Sequence, residues 1–288
     1  LSAPFDSVYW VGNLTNGETV RIELSGDAGE TWAIAQTGLL ASAGTWGWAN
    51  TNLESSKVAR WRVVYEGDTN VLDMCNANFV FKTKEFRYYV NDSSTNGDVY
   101  CSAPGDTNNT GTTAAEPLAS LKAVLDTYDL EPGDIVFVDT GVYNLNATPE
   151  IKTANGGDSN AYVYIRGSTN GTVFVRNNQA GNAYALHLND ADYVDISNIE
   201  FRRAGVGIYL QSADNINLTS VRAVSNAIEG IRLSGSQNIR LNRSVSSLNA
   251  GNGIYLLGTS SLQAENCVLW RNNLVGLQVG SGSFAFIS

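Results

Sequence analysis

"GIYL" at positions 207–210 returns as "GIRL" at 230–233, "GIYL" at 253–256 and "GLQV" at 276–279. Each copy starts 23 residues after the one before, and a degenerate copy, "ALHL", starts at position 185. A second set keeps pace with the first: "VDI" from Val194, "INL" from Ile216, "IRL" from Ile239 and "LQA" from Leu262. Asn226, Asn249 and Asn272 hold the same 23-residue step. A fixed period in the low twenties marks a solenoid, in which each repeat buries its apolar face against its neighbours. Short alternating runs with recurring Gly and Asn suit a parallel β-helix or a leucine-rich repeat. The LxxLxLxxN signature of the latter is missing. Stacked strands about 4.8 Å apart would align Ile208, Ile231, Ile254 and Leu277 as an inward aliphatic ladder.

Upstream of the repeat, residues 83–116 are polar and turn-rich, and "PLASLKAVLDTYDL" follows at 117–130. Pro117 suits a first helical position. Leu118, Leu121, Leu125 and Tyr128 form one apolar stripe, so a short amphipathic helix is expected. "EPGD" (131–134) ends it, and "IVFVDTGVY" (135–143) reads as a buried strand. This order resembles the N-terminal entrance of right-handed parallel β-helix proteins of the pectate-lyase-like superfamily. The resemblance implies that the helix covers the open first coil, and that Asn226, Asn249 and Asn272 form a structural asparagine ladder, each amide bonding the next coil. Residues 135–288 leave room for about six or seven coils. "SFAFIS" at 283–288 alternates like another strand with no capping helix after it. The natural protein is expected to continue there, or that end to meet another molecule.

Residues 1–82 have a different rhythm. "VRIEL" (20–24), "TWAIA" (31–35), "TWGW" (45–48), "ARWRVVY" (59–65) and "NFVFK" (78–82) alternate with period two. Half-buried antiparallel strands and a β-sandwich are expected. "SGDAGETW" at 25–32 resembles the Asp-box of sialidases and related propellers, but it occurs once and a propeller needs several blades. It is expected to turn a hairpin, with Asp27 accepting backbone N–H groups, Gly29 at positive φ and Trp32 as a core anchor. The module resembles the immunoglobulin-like or fibronectin-like domains of large bacterial secreted proteins, which implies a spacer or a glycan- or partner-binding unit. The fold class expected is therefore all-β: a sandwich over residues 1–82, a polar junction over 83–116, and a capped right-handed parallel β-helix over 117–288, probably incomplete at its C-terminal end.

A formal charge of −10 argues against nucleic acid and against docking on anionic lipid. No apolar run is long enough to span a membrane. Few Lys, one Met and abundant Asn, Thr, Ser and Gly point to a secreted or cell-surface protein. The three cysteines, Cys75, Cys101 and Cys267, have no zinc spacing. Cys75 and Cys101 flank the expected junction and are the candidate disulfide, the alternative being two unpaired thiols. Cys267 belongs to the core rhythm.

The GI-x-L motif turns its x residues outward on one sheet: His187, Tyr209, Arg232, Tyr255 and Gln278. Tyr rings stack on sugar faces and Arg pairs with uronates, so this column is the candidate glycan site, weighed against a plain solvated face. The second outward column reads Asp195, Asn217, Arg240 and Gln263, with a single acid. Asp192 and Asp214 occupy equivalent turns and are expected to stack. Other acids of the repeat region are Asp190, Glu200, Glu229 and Glu265. No catalytic motif of the β-helix enzymes can be carried over, and no cofactor is expected. "GDTNNTG" (105–111) is a weak calcium candidate, being short of carboxylates. The leading expectation is a non-catalytic structural or adhesive module, associating with itself head to tail or with neighbouring domains. The alternatives are a polysaccharide lyase or hydrolase, and a glycan-binding module.

Overall fold

The computed structural model describes residues 7–14, 17–47, 56–81 and 85–288. The chain divides into two compact units, Leu1–Glu85 and Phe86–Ser288. The expected strand ends at Trp48 and Lys82 lie outside the described residues.

In the N-terminal unit, strand Ser7–Tyr9 pairs antiparallel with Thr45–Gly47. A second antiparallel sheet runs in the order Ala33–Leu40, Thr19–Ser25, Ser56–Tyr65, Leu72–Met74, with Phe79–Phe81 also on Ser56–Tyr65. Alternation puts Val20, Ile22, Leu24 and Val63 inward, where they meet Val8, Trp10 and Trp46. The Asp-box is a turn. Asp27 accepts the Thr31 N–H at 2.8 Å and the Thr31 hydroxyl at 2.5 Å, and Ser25 Oγ accepts the Gly29 N–H at 2.8 Å. Gly29 sits at φ 97°, open to glycine. Bonds from Thr31 above all, then from Ser25, hold the Asp27 carboxyl down at about 2. Trp32 is not the core anchor expected. Its indole N–H returns to Gly29 O at 3.0 Å, and the Arg62 guanidinium lies 4.3 Å from its ring, so it lids the turn.

The second unit is a right-handed β-helix of three parallel sheets. The first sheet has eight strands, Arg87–Val90, Ile135–Val138, Val163–Gly167, Val194–Ser197, Asn217–Thr219, Ile239–Asn242, Ser261–Glu265 and Phe284–Ile287. The second begins at Gly141–Asn144 and the third at Glu150–Lys152, with six strands each. Inward residues stack coil on coil: Leu186, Ile208, Ile231, Ile254 and Leu277 in one row, and Leu188, Leu210, Leu233 and Leu256 in the next. Phe174 and Phe201 meet edge to face at 5.6 Å in the wider early coils.

The stretch expected as a junction largely belongs to this unit. Arg87–Val90 is the outermost strand of the first sheet, and the following loop is pinned by a buried carboxylate. Asp139 accepts the N–H groups of Val99, Tyr100 and Cys101 at 2.8, 2.7 and 2.6 Å. The helix is shorter than the periodicity implies, Leu121–Thr127, because Ser120 caps it by accepting the Ala123 N–H at 3.1 Å. Pro117 and Leu118 precede it, and Leu118 bridges to Val90 as extended chain.

The corners explain the Asn and Gly content. Asn198, Ser220, Arg243 and Asn266 form one column of left-handed residues, and Arg203, Ser225, Leu248 and Arg271 another. Inside one corner, Asn226 Nδ2 donates to Asn249 Oδ1 at 3.0 Å and Asn249 Nδ2 to Asn272 Oδ1 at 2.9 Å. The same oxygens of Asn249 and Asn272 accept the backbone N–H groups of Asn226 and Asn249. Gly253 makes room for this: a Cβ there would lie 2.6 Å from Asn272 Nδ2.

Two stability changes should follow. Asn249→Ala strands buried donors on both sides and should cost about 3 kcal/mol in chemical denaturation. Leu248→Gly should raise stability by about 0.5–1 kcal/mol. Leu248 is half exposed at φ 56°, where a side chain costs more than the added freedom of glycine.

Candidate functional site

Strand register sets two outward columns. On the third sheet Glu150, His187, Tyr209, Arg232, Tyr255 and Gln278 lie opposite one another in successive coils. Their side chains are engaged with one another and with neighbours. His187 lies flat on Tyr209, ring centroids 5.0 Å apart and planes 6° off parallel, and Tyr184 packs against both rings. His187 Nδ1 is 3.4 Å from Glu150, which also accepts from Asn189 Nδ2 at 2.9 Å. Arg232 lies 5.7 Å from the Tyr209 ring centroid and pairs with Glu229 at 2.5 Å. Asn252 Nδ2 donates to Gln278 at 2.7 Å. Glu150 and Tyr184 were not legible as members of this group, because the early coils lack the GI-x-L motif.

Covered by the tyrosines, the His187 side chain is only 12% exposed. Burial lowers its pKa below the ordinary value of 6.5, against the opposing pull of Glu150 and the Gln211 side chain. Burial pushes the Glu150 carboxyl upward, but the Asn189 bond and the Lys152 and His187 charges outweigh it, leaving its pKa lowered.

On the first sheet Tyr164, Asp195, Asn217, Arg240, Gln263 and Phe286 form the corresponding column. Asp195, Asn217, Thr219, Arg240, Gln263 and Glu265 line an open groove of about 440 Å³. Arg166 stands 4.9 Å from the Tyr164 ring at one end, and Tyr162 and Tyr193 meet edge to face beside it at 5.7 Å. Arg240 is exposed and has no acid partner among the described residues. Burial raises the Asp195 pKa, with the Asn217 bond and the Arg166 charge opposing. The tyrosines were missed in the sequence because coils of that region are longer than 23 residues.

Most other acids of the solenoid hold structure. Glu200 pairs with Arg222 at 3.0 Å and Arg202 at 3.3 Å. Asp192 accepts the Asp214 N–H at 2.7 Å, and Asp214 accepts the Gln237 N–H at 2.6 Å, a ladder through the turn. Asp195 and Glu265 share the groove but stand three coils apart, about 14 Å at the usual strand spacing. Paired glycosidase carboxylates lie about 5–9.5 Å apart. In the loop at 105–111, Asp106 is spent on the backbone and side-chain N–H groups of Asn108. No group of three or more His, Cys, Asp or Glu among the described residues is placed to hold a metal ion.

Cys75 and Cys101 are not bonded to each other; all three cysteines are free. Each sulfur is satisfied in its own unit, Cys75 Sγ by the Trp61 N–H at 3.3 Å and Cys101 Sγ beside Val90 O at 3.7 Å. Burial, reinforced by Asp139, drives the Cys101 pKa well up, so it persists as a thiol.

Three stacked parallel sheets with an inner asparagine ladder define a β-helix of the pectate-lyase-like superfamily. Residues 142–288 match the family "Right handed beta helix region", and the chain belongs to it. Among solved structures it is similar to pectate lyase Pel9A, with a TM-score of 0.52 and 16% identity over 65% of this chain and 49% of that one. It is also similar to an alginate lyase from Paenibacillus sp. str. FPU-7, with a TM-score of 0.42 and 19% identity over 57% and 63%. The chain thus spans about half the length of that pectate lyase. At these identities the likeness is one of fold. A search of curated proteins gave no match. No helix among the described residues is long and apolar enough to cross a membrane.

The lowered His187 pKa fixes a sign. Its contribution to stability is complete above about 6.5 and is lost as pH falls toward the folded-state value. His187→Phe keeps the stacking and removes the titration. Thermal unfolding of the variant should therefore lose less stability than the parent between neutrality and the carboxylate range; equal losses would exclude His187 as the cause.

Proposed function

We propose that this chain is a non-catalytic adhesive segment of an extracellular protein that holds polysaccharide along its first sheet. The observation that carries this reading is the open groove in which Arg240 faces solvent without an acid partner, between Asn217 and Gln263. Tyr164 and Arg166 extend the same face with a ring and a second cation. Such a row offers stacking to sugar rings, amides to hydroxyls and guanidinium to carboxylates. The third sheet fits the role less well, since Arg232, His187 and Gln278 already have partners. Secretion is supported by composition and by the acidic charge.

Affinity electrophoresis in gels containing polygalacturonate or alginate tests the reading. The parent chain should be retarded, and Arg240→Ala or Tyr164→Ala should each weaken retention about tenfold or more. The double variant Tyr209→Ala/Tyr255→Ala should behave as the parent. Loss in the double variant alone would move the site to the third sheet, and no retardation of the parent would sink the proposal. A lyase or hydrolase reading is favoured by one observation, the raised pKa of Asp195 in the groove. Release of new chain ends from either polymer, abolished by Asp195→Asn, would establish it in place of the adhesive one.

A further inference from the structure

The N-terminal unit has an apolar cleft of about 330 Å³ that glycan binding on the β-helix leaves unused. Its floor is the core itself, Val20 and Val63, which are buried elsewhere along their surfaces. One wall is the extended segment 11–14, the other is the strand Leu72–Met74. Both walls present backbone with open bonding capacity. Among the described residues, the peptide groups of residues 11–14 form no hydrogen bond. Leu72–Met74 pairs on one side only, with Ser56–Tyr65. An apolar slot between two such walls has the form of an empty strand position, and added strands bind through main-chain bonds plus pockets for alternate side chains.

Charge narrows the occupant. Asp73 lines the cleft and no Lys or Arg does. Glu18 bonds the hydroxyl of Tyr65, another lining residue, and Glu18 and Asp68 raise the Tyr65 pKa together with burial. We propose that this cleft receives an extended peptide strand from another protein, apolar at alternate positions and flanked by lysine or arginine. Apolar side chains of the strand would enter the slot, its backbone would bond residues 11–14 and the free side of Leu72–Met74, and a flanking cation would face Asp73. The Asp73 carboxylate meanwhile covers the Met74 N–H at 2.9 Å, and it would turn to the cation when the strand arrives.

The test uses the full chain and a labelled synthetic peptide with valine at alternate positions, threonine between them and a lysine at each end. Fluorescence anisotropy should show saturable binding. Val11→Arg and Leu72→Arg alter exposed positions, leave the core intact and should each weaken binding at least about tenfold. A peptide with a central proline, unable to complete the backbone bonds, should fail, and one flanked by glutamate should bind more weakly. Absence of binding by the parent peptide overturns the proposal. So does equal binding of the proline peptide, or of both arginine variants. Displacement of a fatty-acyl probe from the cleft without peptide binding would show an apolar small-molecule site and overturn it as well. Retention on polysaccharide gels is unaffected by any of these results, so the two proposals fail separately.

Discussion

Every coil of the β-helix has to close directly above the one before it, with each strand in register with its parallel neighbour. This constraint governs most of what the sequence does after residue 134. Inward rows are aliphatic because each side chain must find its counterpart about one strand spacing away. Corners require left-handed backbone, and the chain accepts that cost in columns of Asn, Ser, Arg and even Leu248. The cost is offset by bonds that run from coil to coil. The asparagine ladder is the strongest set: each inner amide serves its own corner and the backbone of the previous coil, so no member can be removed without exposing two others.

The same stacking divides the outward side chains into two kinds. On the third sheet, register brings acid to histidine, ring to ring, and guanidinium to ring, and the neighbours satisfy one another. On the first sheet, Asp195, Asn217, Arg240 and Gln263 follow in succession without closing into pairs of opposite charge. Identical geometry thus yields a consolidated face and a receptive one, and only the choice of side chains at equivalent positions separates them. Ion pairs such as Glu229–Arg232 lose capacity for a ligand in proportion to what they add to cohesion.

The later coils were legible in the sequence because their spacing is constant. The outward positions Asn217, Arg240, Gln263 and Phe286 follow one another at the same 23-residue interval. Earlier, Ile135, Tyr164 and Asp195 occupy the same column at intervals of 29 and 31 residues. Longer turns there hide the period, which is why Tyr164, Tyr184 and Glu150 escaped notice while Tyr209 and Arg232 did not. The stretch after residue 85 was mistaken for a linker because Gly, Ser, Thr and Asn dominate it. Its order comes from a distant group, the buried Asp139 carboxylate, which local pattern cannot reveal. Trp32 shows the opposite error: a large ring suggests burial, but its place between a turn carbonyl and Arg62 depends on a strand far along the chain.

The matched corner columns also determine how such a protein can change length over evolutionary time. Losing or gaining one residue within a coil would move every later side chain to the wrong face, turning buried leucines out and outward arginines in. Duplicating or excising a whole coil leaves all columns intact, because the residue that follows the cut occupies the position of the one removed. The uniform later coils therefore read as the record of copying by complete turns. The irregular early ones, with their longer loops at the corners, are where insertion has been accommodated without disturbing the stack.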